Sequence, residues 1–335
     1  MSMEDTGAGV ILVRGPNWLG DTVMALPALR ALRRARPQAR IILAGRWAPL
    51  LAGQGVADAL LPYPAEHRRR FNRALGAEGG DLAVVLPNSL ESALAARRWR
   101  TRRRVGFDTD ARRPLLTDPV PLPEPRKHQI DEYALLVESL GATVDDPAPA
   151  WRLAADPVAE TEVDALLTAA GLEAGARPVG LHLGTAFGPS KLWPPESFGR
   201  LADRLAGARL GPVLLGAESD GAIAARVIAA ARRAPASLVG RDRIALLPRL
   251  LARLTCLVSA DTGVAHLAAA LGVPTVTLFG PTDPRLSAPR GRRAQVVHHR
   301  VPCSPCFLAS CPIEHACLDS VEAAEVEREV RRAAA

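Results

Sequence analysis

The stretch Cys256-Leu-Val-Ser259-Ala-Asp261-Thr262-Gly263-Val-Ala-His266-Leu-Ala-Ala-Ala-Leu271-Gly-Val-Pro274-Thr-Val-Thr-Leu-Phe279-Gly280-Pro281-Thr282-Asp283 decides the fold. Its apolar opening reads as a buried strand that delivers Asp261 and Thr262 at its carboxyl end. Val264 to Leu271 reads as a helix, and Pro274 to Phe279 as the next strand. A strand, a helix and a second strand joined by short links are the repeating unit of a parallel α/β sheet. Asp261, Thr262 and the amides around Gly263 then stand at a helix N-terminus, where backbone N–H groups and the helix dipole favour an anion. The Gly280 turn opens at the adjacent strand end, so two polar loops form the kind of crevice that holds ligands in open α/β sheets. The plainer alternative is that Asp261 only caps its helix.

Outward from this stretch the same alternation continues. Val10 to Arg14 is a strand run, followed by the turn Gly15-Pro16-Asn17-Trp18-Leu19-Gly20 and a predicted helix over 21–36 with Val23, Leu26, Leu29 and Leu32 on one face. Further strands are predicted over 40–44, 81–86 and 103–107, and a helix over 128–140. The second half gives strands over 178–183, 212–215, 237–239, 255–259 and 274–279, with helices starting near Pro195, Glu218, Arg243 and Thr262. The charged, proline-rich Asp145-Asp-Pro-Ala-Pro149 marks a boundary between a first domain, 1–150, and a second, 151–335, whose terminal helix has the option of packing back on the first. A chain of 335 residues suits two cores. The expectation is an α/β protein of two doubly wound, Rossmann-like parallel-sheet domains facing a central cleft.

Composition narrows the class. With 48% hydrophobic and 23% charged residues the chain is ordinary for a globular protein. No run approaches the ~20 apolar residues of a membrane span, and the start Met1-Ser-Met-Glu-Asp5 lacks signal-peptide features, so a cytoplasmic protein with a disordered leader to about Gly9 is expected. Net charge is +7, yet only two of the 42 basic residues, Lys127 and Lys191, are lysines. A lysine inside a glycine-proline loop of an arginine-using chain points to a need for a compact ammonium. The clusters Arg68-Arg69-Arg70 and Arg97, Arg98, Arg100, Arg102, Arg103, Arg104 suit an acidic substrate or an anionic membrane leaflet. Nucleic acid is disfavoured, because aromatics make up 4% and do not interleave with the arginines.

Three strand ends of the second domain carry chemistry. In His182-Leu-Gly184-Thr185-Ala-Phe-Gly188-Pro-Ser190-Lys191-Leu-Trp-Pro194, glycines admit backbone amides to a phosphate, hydroxyls donate, and Lys191 brings charge. Gly216-Ala217-Glu218 offers a carboxylate for ribose hydroxyls, or simply for its own helix dipole. With the Asp261 loop these describe a nucleoside-diphosphate site. No Gly-x-Gly-x-x-Gly follows the first strand and no Gly-Lys-Ser/Thr phosphate loop occurs, which lowers the dehydrogenase and NTPase readings. In the first domain Asp21, entering its helix after Gly20, is either a first-turn acid or a base for an acceptor hydroxyl. Cys303, Cys306, Cys311 and Cys317 have C-x2-C-x4-C-x5-C spacing, compact enough for a structural zinc knuckle, with unliganded thiols as the alternative.

Taken in order, Arg14-Gly-Pro-Asn-Trp-Leu-Gly-Asp21, Gly184-Thr-Ala-Phe-Gly-Pro-Ser-Lys191-Leu-Trp-Pro, Asp261-Thr-Gly-Val-Ala-His266, Phe279-Gly-Pro-Thr-Asp-Pro284 and the cysteine cluster resemble glycosyltransferase family 9, within it most closely the ADP-heptose:lipopolysaccharide heptosyltransferase II group. The resemblance covers nearly the whole chain. It implies a GT-B fold with acceptor bound by the first domain and donor by the second. It implies inverting transfer of heptose from ADP-heptose to the inner core of lipid A-anchored oligosaccharide, at the cytoplasmic face of the inner membrane, with no metal required for catalysis. By the same resemblance Asp21 is the catalytic base, with Asn17, Trp18 and Gly20 on the acceptor side. Lys191 binds phosphate beside Gly184 and Thr185, Glu218 meets the ribose, and Asp261, Thr262, Gly263 and His266 contact the donor. Three rivals remain: a family member using another nucleotide sugar, a GT-B sugar-nucleotide epimerase, and a non-catalytic nucleotide-sugar-binding relative.

Overall fold

The computed structural model describes residues 9–172, 175–241 and 243–334. The leader expected before Gly9 lies outside the described residues. The chain divides into two compact units, the first ending at Pro149 and the second starting at Ala150.

In the first unit the strands are β1 (Val10–Arg14), β2 (Arg40–Gly45), β3 (Ala59–Pro62), β4 (Leu82–Val85), β5 (Arg103–Phe107) and β6 (Asp118–Val120). Its helices are α1 (Leu19–Met24), α2 (Leu26–Ala35), α3 (Arg68–Ala77), α4 (Leu90–Arg98) and α5 (Gln129–Glu138). All strand pairings are parallel and the order is β3-β2-β1-β4-β5-β6. The central strands are buried, β4 throughout and β1 from Ile11 onward, as a sheet covered on both faces requires. Trp99, fully buried under α4, donates its indole N–H to Asn72 of α3, whose amide in turn reaches the Tyr63 hydroxyl.

The second unit contains β7 (Pro178–His182), β8 (Gly211–Leu215), β9 (Ala236–Ser237), β10 (Cys256–Ala260), β11 (Thr275–Phe279) and β12 (Ala294–His298). Its helices are α6 (Pro157–Ala169), α7 (Pro195–Gly207), α8 (Gly221–Ala230), α9 (Leu247–Ala252), α10 (Gly263–Ala270), α11 (Pro284–Ser287), α12 (Ala316–Asp319) and α13 (Ala323–Ala334). Its sheet runs β12-β11-β10-β7-β8-β9, again all parallel. Read from the other edge, this is the strand order of the first unit. Each sheet therefore reverses winding once, between β1 and β4 and between β7 and β10, and a crevice opens outside the strand ends at such a point. The terminal helix α13 buries Val326, Val330 and Ala333 against α7, β10 and β11 of its own unit.

Two differences from the sequence reading have clear causes. The helix predicted over 21–36 is two helices meeting at Ala25, because Pro27 has no N–H to give the Val23 carbonyl. Strands β3, β6 and β12 were not predicted: β3 and β6 have no fully buried residue, and all three lie at or beside sheet edges where the apolar signal fades.

Candidate functional site

At the reversal of the second sheet, the loop after β7 brings Lys191 to Asp261 at the end of β10. Lys191 Nζ lies 2.6 Å from Asp261 Oδ2 and 3.0 Å from the Asp261 carbonyl oxygen. Both side chains are about nine-tenths buried, and the ammonium stands 4.7 Å from the centre of the Phe187 ring. Thr282, from the turn after β11, donates its hydroxyl to Asp261 Oδ2 at 2.8 Å. His266 Nε2, on α10, is 3.9 Å from Asp261 Oδ1. Asp261 thus serves the lysine and the threonine, and it does not cap α10.

The amides at the start of α10 are left for something else. Thr262 holds the N-cap position with no side-chain bond to the helix. Its hydroxyl turns back to Ser259 Oγ at 2.9 Å, and Ser259 Oγ lies 3.4 Å from His182 Nδ1. Enclosure lowers His182 to about 4, so its imidazole stays neutral. Gly263 and Val264 consequently present backbone N–H groups beside an ammonium, a combination that suits a diphosphate.

Gly184 and Thr185 lie on the same β7 loop, where Thr185 Oγ1 accepts from the Phe187 amide at 3.3 Å. Glu218 sits one strand over, in a short turn after β8. Its carboxylate is exposed and makes no bond to the Lys191 group among the described residues. The more enclosed acid there is Asp220, which was not foreseen. It accepts from the Ala217 amide at 2.8 Å, and its carboxylate occupies the space that a Cβ at Gly184 would need. Past Lys191, Trp193 anchors the loop: it is 1% exposed, packs edge-on against Phe198 at 4.9 Å, and donates to the Val321 carbonyl.

The reversal of the first sheet holds a cavity of about 260 Å³. Asn17, Trp18 and Asp21 from the β1 loop line it, with Asn88 and Ser89 after β4 and Gln129 and Tyr133 on α5. Asp21 enters α1 in its first turn behind a buried Gly20, while Trp18 stands 52% exposed at the rim. Arg14, buried and stacked 3.8 Å over Tyr63, donates to Asn17 Oδ1 at 2.7 Å and so fixes the loop. Burial first, then the charges of Asp21 and Glu132, hold the Tyr133 phenol well above its ordinary range, so it remains a neutral hydroxyl. Of the first-domain residues singled out in the sequence, Asn17, Trp18 and Asp21 line this cavity and Gly20 does not; Gln129 and Tyr133, which share no local motif with them, were not singled out.

The four clustered cysteines lie between β12 and the end of α12. Cys303 and Cys306 are exposed, Cys311 turns its thiol to the Ile313 and Glu314 carbonyls, and Cys317 is buried. Among the described residues no group of three or more His, Cys, Asp or Glu side chains is gathered to hold a metal ion.

The sequence profile of glycosyltransferase family 9 (heptosyltransferase) matches residues 68–317. The chain belongs to glycosyltransferase family 9. Within the family, the lipopolysaccharide heptosyltransferase 2 of Salmonella typhimurium is 31% identical over 312 residues, covering 86% of this chain and 87% of the relative. The lipopolysaccharide heptosyltransferase 2 of Escherichia coli is 30% identical over 305 residues, covering 86% and 87%. The solved structure of the E. coli ADP-heptose lipopolysaccharide heptosyltransferase II matches with a TM-score of 0.79 at 26% identity, covering 97% of this chain and 98% of that one. The two parallel six-stranded sheets with flanking helices are those of the GT-B glycosyltransferases of this family, as the sequence resemblance implied.

Proposed function

We propose that this family 9 glycosyltransferase moves heptose from ADP-heptose to the inner-core oligosaccharide of lipopolysaccharide, with inversion. The observation that carries the donor side is the buried Lys191–Asp261 pair beside the uncapped amides of α10. The ammonium and these amides would take up the charge that grows on the leaving diphosphate, the role a divalent cation fills elsewhere. His266 and Thr262 would position the donor, and Glu218 would meet the ribose. On the acceptor side, Asp21 in its polar cavity would take the proton of the attacking hydroxyl as its oxygen bonds to the anomeric carbon and the bond to ADP breaks.

ADP-heptose incubated with a truncated lipopolysaccharide acceptor should yield the extended core and ADP. Release of an epimerised nucleotide sugar without acceptor would favour the epimerase reading, and tight ADP binding without turnover would favour a non-catalytic relative. Asp21→Asn should retain ADP affinity and lose about 10²–10⁴-fold in turnover; full turnover sinks the base assignment.

We place the enzyme peripherally at the cytoplasmic face of the inner membrane, where such an acceptor is anchored. No helix of the described residues is long and apolar enough to cross a membrane. The exposed arginines of α3 and α4 supply the charge for contact with an anionic leaflet.

A further inference from the structure

The loop running from Val301 to His315 grips two parts of the donor site at once. On one side it holds the residues before Lys191. The Ser190 amide donates to the Ala309 carbonyl at 3.0 Å, the Ser190 hydroxyl donates to the Leu308 carbonyl at 2.5 Å, and His315 Nε2 lies 2.5 Å from the Ser190 carbonyl oxygen. That last contact requires the ring nitrogen to carry the proton and donate it. On the other side the loop holds the turn after β11. The amides of Cys306 and Phe307 both donate to the Pro281 carbonyl, at 3.0 and 2.8 Å, and Ser304 Oγ donates to the Gly280 carbonyl at 2.6 Å. Thr282 follows Pro281 directly, and its hydroxyl fixes the Asp261 carboxylate that pairs with Lys191.

These bonds close a ring. From Lys191 it passes through Asp261, Thr282, the Gly280-Pro281 turn and the cysteine-bearing loop, then returns through Ser190 to Lys191. Four side chains with no neighbours in sequence, Ser190, Asp261, Thr282 and His315, are joined by it. Without the ring, Lys191 would stand on a glycine-proline segment with four rotatable side-chain bonds and no fixed direction. A long cationic side chain brings about 2 kcal/mol of rotamer entropy to any fixed position, so pre-ordering it raises affinity for the group it meets.

We infer that Thr282 and His315 are positioning residues for Lys191, and that the 301–315 loop is the clasp that aims the ammonium at a nucleoside diphosphate. Neither residue needs to touch the nucleotide. Thr282 acts by orienting Asp261, and His315 acts by holding the Ser190 carbonyl. The inference rests on the reading of Lys191 as the phosphate-binding group.

A double-mutant cycle tests both levels separately, with ADP affinity read by calorimetry. In the parent protein, Thr282→Val and His315→Leu should each weaken ADP binding about tenfold, the effect of losing one hydrogen bond next to a charged group. Thr282→Ser and His315→Gln, which keep a donor, should bind close to the parent value. In a Lys191→Ala background the Val and Leu substitutions should have no further effect. Equal loss in both backgrounds, or no loss in the parent, overturns the clasp. If Lys191→Ala itself binds ADP like the parent, the phosphate reading fails and the clasp falls with it. If Lys191→Ala is weak while Thr282→Val and His315→Leu bind normally, only the clasp fails. The donor KM should rise with the ADP dissociation constant in the same variants while their unfolding midpoints without nucleotide stay near that of the conservative pair.

Discussion

A single buried ion pair, Lys191–Asp261, sets the character of the candidate donor site. Removing one member of such a pair leaves an uncompensated charge and costs about 3–5 kcal/mol, whereas replacing both by apolar groups is often neutral. Lys191→Met should therefore lower stability against urea by about that amount, and adding Asp261→Leu should recover most of it without restoring ADP binding. If the double variant is as unstable as the single one, the pair's stability role is misjudged. His182 gives a pH signature. Its ordinary value is 6.5 and the folded protein lowers it to about 4. Between these values the unfolded chain binds the proton and the native chain does not, so stability falls as pH drops from 6.5 towards 4. His182→Asn, which keeps a polar group facing Ser259, should flatten that part of the urea-midpoint profile. A slope equal to the parent's assigns it to other groups. Lys191 was legible in the sequence because lysine is so scarce here. Thr282, Asp220 and His315 were not, since their roles arise only where loops from separate strands meet.

At the scale of elements, legibility followed burial. The fully buried β4, β10 and β11 announced themselves as apolar runs, and with them the two polar loops at the β10 and β11 ends. The half-exposed β12 edge strand did not, and on α5, predicted as a helix, nothing local singled out Gln129 and Tyr133 as cavity residues. Gly188 shows a backbone constraint at the proposed clasp. Its φ is +145°, and a Cβ there would run into the Ala309 carbonyl oxygen of the clasp. Gly188→Ala should cost about 1–3 kcal/mol of stability and weaken ADP binding as well. Gly207, at the end of α7, has nothing within 4 Å of a built Cβ. Gly207→Ala should stabilise by about 0.5–1 kcal/mol, because alanine suits a helix better, and should leave ADP binding unchanged. Thermal midpoints and calorimetry on this pair separate a local steric effect from general sensitivity to glycine replacement.

Across the whole molecule, arginines meet carboxylates repeatedly, as in Arg33–Asp58, Arg103–Asp118 and Arg126–Glu132 in the first unit and Arg204–Glu327, Arg226–Glu196 and Arg253–Asp164 in the second. Arg69, Arg70 and Arg73 of α3 and Arg97 of α4 are exposed and form no ion pair among the described residues. At about 1 kcal/mol per arginine near an anionic surface, replacing the three on α3 by serine should weaken binding to phosphatidylglycerol vesicles about 100-fold. The loss should shrink as added salt screens the surface, and turnover on a soluble acceptor should persist. Undiminished vesicle binding would assign docking to another face. The scarcity of lysine has a practical consequence. Lys191 is enclosed against the Phe187 ring and Lys127 is exposed, so protein grown on isotope-labelled lysine should give just two side-chain resonances by nuclear magnetic resonance. The ring current of Phe187 should displace one of them, and ADP should move that one and leave the other still. The occupancy of the nucleotide pocket would then be readable from a single spectral line.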